Sequence, residues 1–115
     1  MFDNKPIRLL VCGGREYDDW RTLSKELAAH HPIAVLIQGD APGADRLAHK
    51  WADANNVPTI SFPANWKQGR KGGPLRNAFM LKESKPDLVI AFPGGGGTKN
   101  MVALAVAAGV PVHQI

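Results

Sequence analysis

Short, nearly unbroken apolar runs alternate with stretches of helical spacing along the whole chain, and this alternation restricts the fold more than any other feature. The runs are Ile7 to Cys12, Ile33 to Ile37, Val57 to Phe62, Asp87 to Phe92 and Val110 to Ile115. Apolar segments of that length, without polar alternation, fit strands covered on both faces, as in a parallel sheet. Between them, Trp20, Leu23 and Leu27 share one helical face after Asp18 or Asp19, either of which can cap the helix, and Pro32 ends it. Ala44, Leu47, Ala48, Trp51 and Ala52 mark a second helix from Ala44 to Asn55. A third runs from Leu75 to Glu83. A fourth, from Thr98 to Ala108, carries the stripe Met101, Leu104, Ala105 and Ala108 and stops at Gly109. The order βαβαβαβαβ predicts an α/β three-layer sandwich: a five-stranded, mostly parallel sheet with helices on both faces. Right-handed crossovers favour strand order 3-2-1-4-5.

At 115 residues the chain reads as one domain, residues 1–115, with room for a real core. Its 44% hydrophobic and 21% charged residues are ordinary globular usage, which argues against disorder. Cys12 is the one cysteine, so no disulfide can form within the chain, and a reducing cytosol suits it. Met1 to Pro6 lacks a signal-peptide pattern, and the apolar runs are too short to cross a bilayer. These features together predict a soluble, cytoplasmic protein with no membrane partner. The net charge of +4 favours an anionic partner: a nucleotide, a phosphorylated metabolite or nucleic acid. A small surplus of lysine and arginine also serves plain solubility.

In the order 3-2-1-4-5 the chain reverses direction between strands 1 and 4, and ligands of such sheets sit in the crevice at the strands' carboxyl ends. Two glycine motifs land there, Gly13-Gly14-Arg15 and Pro93-Gly94-Gly95-Gly96-Gly97-Thr98. A glycine run between a buried strand and a helix start lets the backbone approach a ligand, and the first amides of the helix are free to bind an anion. Thr98 can cap the helix or bind a phosphate oxygen. Four glycines exceed what a tight turn needs. The loop lacks the GK[ST] ending of a nucleotide-triphosphate P-loop, and Cys12 to Tyr17 lacks dinucleotide G-x-G-x-x-G spacing. Arg15 can clamp a phosphate or carboxylate from the opposite wall, or lie in solvent. Cys12, at a buried strand end with no neighbouring histidine, reads as a core residue.

Gly39-Asp40-Ala41-Pro42-Gly43-Ala44-Asp45 follows the second strand beside the same crevice. Asp40 or Asp45 can accept ribose hydroxyls, hold a cation, act as a base, or cap the second helix. No dedicated metal site is expected, because His30, His31, His49 and His113 are scattered. His30 and His31 close the first helix, and His49 falls on the solvated face of the second. The segment from Pro63 to Pro74 has no apolar period, and it combines Trp66 with Lys67, Arg70 and Lys71. It reads as a loop: a mobile lid over an anion, a single-stranded nucleic-acid patch with a base on Trp66, or a solvated turn with Trp66 against the core edge. Arg76 can reach a phosphate or pair with a surface carboxylate, and Asn77 can read a base or sugar.

Gly13-Gly14-Arg15, Gly39 to Asp45, Gly73-Pro74-Leu75-Arg76-Asn77 and Pro93 to Thr98, in that order, resemble the YspA-like family of the SLOG superfamily across nearly the whole chain. The resemblance implies a Rossmann-like fold and a nucleotide or nucleotide-derived ligand. A more distant similarity is to the LOG enzymes, the cytokinin nucleoside-monophosphate phosphoribohydrolases. Their Arg-Lys-x-x-Met segment is matched by Arg76-Asn77-Ala78-Phe79-Met80, with Asn in place of Lys. Their Pro-Gly-Gly-x-Gly-Thr-x-x-Glu segment is matched by Pro93 to Thr98, but the glutamate falls on Met101. Methionine can neither stabilise an oxocarbenium-like centre nor activate water. The phosphate cradle carries over and the hydrolase chemistry does not. The DNA-processing protein DprA, another relative of this superfamily, implies single-stranded DNA as a further ligand. Relatives on this fold commonly dimerise through helices, so a homodimer is also admitted.

Three readings follow. The first is a binding or sensing module for a phosphorylated nucleotide-like molecule, held by Gly13, Gly14, Arg15, Gly39, Asp40, Gly43, Asp45, Arg76, Asn77, Gly94, Gly95, Gly96, Gly97 and Thr98. It requires no cofactor and admits Mg2+ accompanying the phosphates. The second is an N-glycosidic or phosphate-ester hydrolase with Asp45 and Arg76 as catalytic residues, in which Asp40, Asp45 or Glu16 replaces the missing glutamate. The third is a single-stranded nucleic-acid binder.

Overall fold

The computed structural model describes residues 5–115, so the N-terminal pattern read on Met1 to Asn4 lies outside the described residues. The elements are β1 (Ile7–Cys12), α1 (Trp20–Ala29), β2 (Ile33–Gln38), α2 (Ala44–Ala54), β3 (Thr59–Ser61), a 3-10 segment (Trp66–Lys71), α3 (Gly72–Ser84), β4 (Leu88–Ala91), α4 (Gly96–Ala107) and β5 (Val112–Gln114). The five strands form one sheet in the order β3-β2-β1-β4-β5, and every pairing is parallel. The fold is therefore α/β and Rossmann-like, with the strand order the alternation predicts.

Period-two alternation sorts each central strand between two apolar layers. Leu9 and Val11 of β1, Leu36 of β2 and Ile90 of β4 pack with Leu23 and Leu27 of α1 and Ala48, Trp51 and Ala52 of α2. Leu10 and Cys12, Val35 and Ile37, and Val89 and Ala91 face the other way, against Met80 and Leu81 of α3 and Met101 and Ala105 of α4. Helices α1 and α2 thus cover one face, and α3 and α4 the other. Asp19 caps α1: its carboxylate accepts from the Thr22 N–H at 3.1 Å and the Thr22 hydroxyl at 2.7 Å, which holds the carboxyl below its ordinary value. Trp20, expected on the buried stripe, is 39% exposed at the start of α1 and lies under the Lys50 ammonium. Among the described residues, no helix is long and apolar enough to cross a membrane.

Several boundaries differ from expectation. β3 and β5 are three residues each, shorter than their apolar runs, because each has a ladder partner on one side only. α4 begins at Gly96, two residues earlier than Thr98, and the buried Asn77 amide donates to the Gly97 carbonyl in that first turn. Residues 63–74 are not an open loop. The Asn65 side chain accepts from the Lys67 N–H at 3.1 Å and starts the 3-10 turn, which bends at Gly69. Gly72 and Gly73 then belong to α3, and Pro74 sits in its first turn, where a missing N–H costs nothing. A Cβ on Gly72 would lie 2.5 Å from the Asn65 carbonyl oxygen, so that junction closes only around glycine.

Candidate ligand-binding site

Cys12 and Ala91 are register partners at the carboxyl ends of β1 and β4, so the loops that follow leave the sheet side by side. The Gly14 N–H donates to the Pro93 carbonyl at 2.8 Å. The Gly14 carbonyl in turn accepts from Tyr17 at 3.2 Å and from Ala44, the first residue of α2, at 3.1 Å. This three-way junction leaves no space for side chains. At Gly43 φ is +82° and a Cβ would run into the Gly14 carbonyl; at Gly94 a Cβ would run into the Thr98 hydroxyl and stand 2.6 Å from the Gly14 nitrogen.

Gly95, Gly96 and Gly97 differ from that set. All three are exposed, and a Cβ added to any of them meets nothing within 4 Å. Packing does not require them to be glycine. The N-cap of α4 is Gly95, which offers no side-chain cap, so the first-turn amides of Gly96, Gly97 and Thr98 have no side-chain acceptor. With the helix dipole behind them they form an open, electropositive cup. Thr98, expected to cap, lies inside the first turn instead, because the helix starts earlier.

The cup opens into a cavity of about 1020 Å³. Arg15, Tyr17, Trp66 and Arg70 line it, as do Asp45, Arg76, Asn77 and Asn100. The Arg15 guanidinium lies 5.9 Å from the centre of the Trp66 ring, a cation–π contact between two lining residues. Trp66 is 56% exposed, so it is not tucked against the core edge.

Asp45 is 6% exposed. One of its oxygens, Oδ2, accepts from the Gly39 N–H at 3.0 Å and the Ala41 N–H at 3.2 Å. Burial pushes its pKa up to about 6, against the opposing pull of those amides and of the Arg76 guanidinium. Arg76 donates to the Gly39 and Phe62 carbonyls, which follow β2 and β3, and through Nε to Asn77. Burial holds its pKa below the ordinary arginine value, with Asp45 opposing and Arg15 adding to the depression. Asn77, nearly fully buried, donates to the Gly97 carbonyl at 3.2 Å and to Asn100 Oδ1 at 3.0 Å. It holds the start of α4 against α3 and does not point a free amide at the cavity.

The predicted site residues therefore divide. Gly13, Gly14, Arg15, Asp45, Arg76, Asn77, Gly94 to Gly97 and Thr98 line one cavity. Gly39, Asp40 and Gly43 do not line it. Gly39 is spent on Asp45 and Arg76, and Gly43 on the Gly14 junction. Asp40 turns outward, at φ +56°, toward Arg46 at 3.7 Å. Neither aspartate caps α2, whose N-cap is Gly43. Glu16 is exposed and lines the cavity. Of the basic segment, Arg70 lines the cavity and Lys67 and Lys71 do not. Met101 is fully buried against α3, as packing requires. Burial pushes the Cys12 thiol up to about 12, which makes it inert. His49, its side chain 42% exposed, stands 3.2 Å from Gln38 and 3.3 Å from Asp53. His30 and His113 are not scattered: their rings stand 6.0 Å apart.

Sequence reading missed Tyr17, Asn100 and Gln38. Tyr17 forms a wall and packs on Phe92 at 5.2 Å. Asn100 completes the Asn77 bridge. Gln38, fully buried, donates to Ser61 Oγ at 2.6 Å and accepts from Asp40 N–H, bracing the loop after β2. An aromatic residue two positions after Gly-Gly-Arg, and an amide ending an apolar strand, were the available signals.

The family model described as "YspA, cpYpsA-related SLOG family" matches residues 7–69, more than half the chain, including Gly13 to Arg15 and Gly39 to Asp45. The Gene 61 protein of Mycobacterium phage D29 is 35% identical over 117 residues, covering 91% of this chain and 93% of its own length. On these two similarities the chain belongs to the YspA, cpYpsA-related SLOG family.

Proposed function

We propose that the protein binds a phosphate-bearing, nucleotide-like small molecule, with a phosphate on the first-turn amides of α4 and the rest of the ligand between Tyr17 and Trp66. The observation that carries this reading is the run Gly95-Gly96-Gly97, open and uncapped at the sheet's reversal point, in a cavity that also presents Arg15 and Arg70. An anion there gains unpaired amides, a helix dipole and two guanidinium groups. Tyr17 and Trp66 offer flat faces for a base. Any Mg2+ rides on the ligand's phosphates, because the buried carboxylate of the wall, Asp45, already uses one oxygen on two backbone amides.

Gly96→Asp tests the reading directly. An aspartate fits the open space and suits a helix N-terminus, so the fold is retained. It also fills the cup with negative charge. Against a panel of nucleoside mono- and diphosphates, the native protein shows a thermal shift and Gly96→Asp shows none. Equal affinity in the two proteins overturns the assignment.

Asp45 supports a second reading, hydrolysis of the bound molecule. A buried carboxyl poised near pH 6 on a cavity wall has the acidity of a general acid or base. Asp45→Asn then abolishes release of free base or phosphate with ligand affinity largely retained. A ligand that emerges unchanged from the native protein removes this reading and leaves the binding module.

A further inference from the structure

At the far end of α1 from the ligand cavity, three metal-ligating side chains converge. Glu26 and His30 lie one turn apart on α1, and His113 reaches them from β5. The register explains the meeting. His113 pairs with Ile90 of β4, and Ile90 faces the α1/α2 layer, so parallel pleating turns His113 to the same side. One ligand atom from each of the three lies within 4.8 Å of the others, and His113 Nε2 is 3.5 Å from Glu26 Oε2. The two imidazole rings are tilted at 60° with centroids 6.0 Å apart, leaving a wedge between them. None of the three lines the ligand cavity.

We propose that Glu26, His30 and His113 bind a borderline divalent transition metal of the zinc class. A Glu–His ion pair explains one imidazole beside the carboxylate but not two at the same point. A dication takes both imidazoles as neutral donors and the carboxylate as the third, the set that suits zinc. Metal–ligand bonds of about 2.0–2.1 Å in tetrahedral geometry put donor atoms roughly 3.4 Å apart, a spacing Glu26 and His113 already approach. His30, within 4.8 Å of both, is brought in by a change of side-chain torsion. Glu26 and His30 are half-buried and His113 is exposed, so water has room to complete the shell. The C-terminal end of α1, which His30 caps, adds a favourable negative dipole end. The bound ion ties the edge strand β5 to α1.

The test uses tag-free full-length protein, stripped with chelator and titrated with Zn2+ alone, with Co2+ as a spectroscopic stand-in. The expected result is one ion per chain, the intense visible bands of four-coordinate cobalt, and an unfolding midpoint raised by about 5 °C at saturation. His113→Ala, an exposed substitution that leaves the metal-free midpoint near native, weakens binding at least about tenfold, as does Glu26→Gln. Both variants keep the native response to nucleotides. No stoichiometric binding by the native chain, or binding that both variants retain, overturns the proposal.

Discussion

Gly43 and Gly96 are the same residue type used for opposite reasons, and substitution separates them. Gly43→Ala places a Cβ at positive φ and against the Gly14 carbonyl, so it costs at least about 2 kcal/mol in denaturant unfolding. Gly96→Ala meets open space and is neutral or slightly stabilising. Asp45 makes a pH prediction. Its native pKa of about 6 lies above the ordinary 3.8, so the native state holds the proton more tightly. The associated stability is complete below about pH 3.8 and is lost as the pH rises through about 6. A shift of that size corresponds to about 3 kcal/mol. Both amide bonds go to one oxygen, so Asp45→Asn can keep them. Its midpoint against pH is flatter between those values than the native protein's, as thermal melts in a buffer series will read. Met101→Glu restores the residue type found in the LOG signature but buries an unpaired charge in the α3/α4 layer, at a cost of at least about 3 kcal/mol.

Between elements, Arg76 and Asn77 do most of the joining. Arg76, on α3, ties the ends of β2 and β3 through two carbonyls, and Asn77 ties α3 to the start of α4. Arg76→Ala removes charge-assisted hydrogen bonds worth about 2–3 kcal/mol together. It also removes the cation that opposes Asp45's burial, so the Asp45 carboxyl titrates above its native position in a carbon-13 carboxyl experiment. The elements themselves were readable in the chain. β1, β2 and β4 are buried on both faces, which leaves unbroken apolar runs. The 3-10 segment was not, because it rests on one Asn65 cap and the fit of Gly72, and neither makes a period. The early start of α4 is not legible because glycine's low helix propensity conceals a first turn held by a hydrogen bond from Asn77, remote in the chain.

For the molecule as a whole, the net charge of +4 is a weak field that Arg15 and Arg70 concentrate at the cavity mouth. Lys67 lies outside the cavity, so Lys67→Ala combined with Arg70→Ala discriminates the partner. With single-stranded DNA, log affinity falls steeply with log salt and the double variant lowers that slope by about one to two counterions. With a single nucleotide, the slope is shallow and follows Arg70. Strand order was legible because alternation and crossover handedness leave few topologies, and the glycine motifs followed it to the crevice. The sequence by itself thus determined the sheet, its reversal point and the glycines gathered there, since burial and backbone freedom are local properties that residue types record. Only the tertiary structure decided which glycines close a junction and which stay open. It also decided that Asp45 turns inward while Asp40 turns out, and that His113 meets His30. Those outcomes depend on distances between segments remote in the chain, which no local pattern encodes.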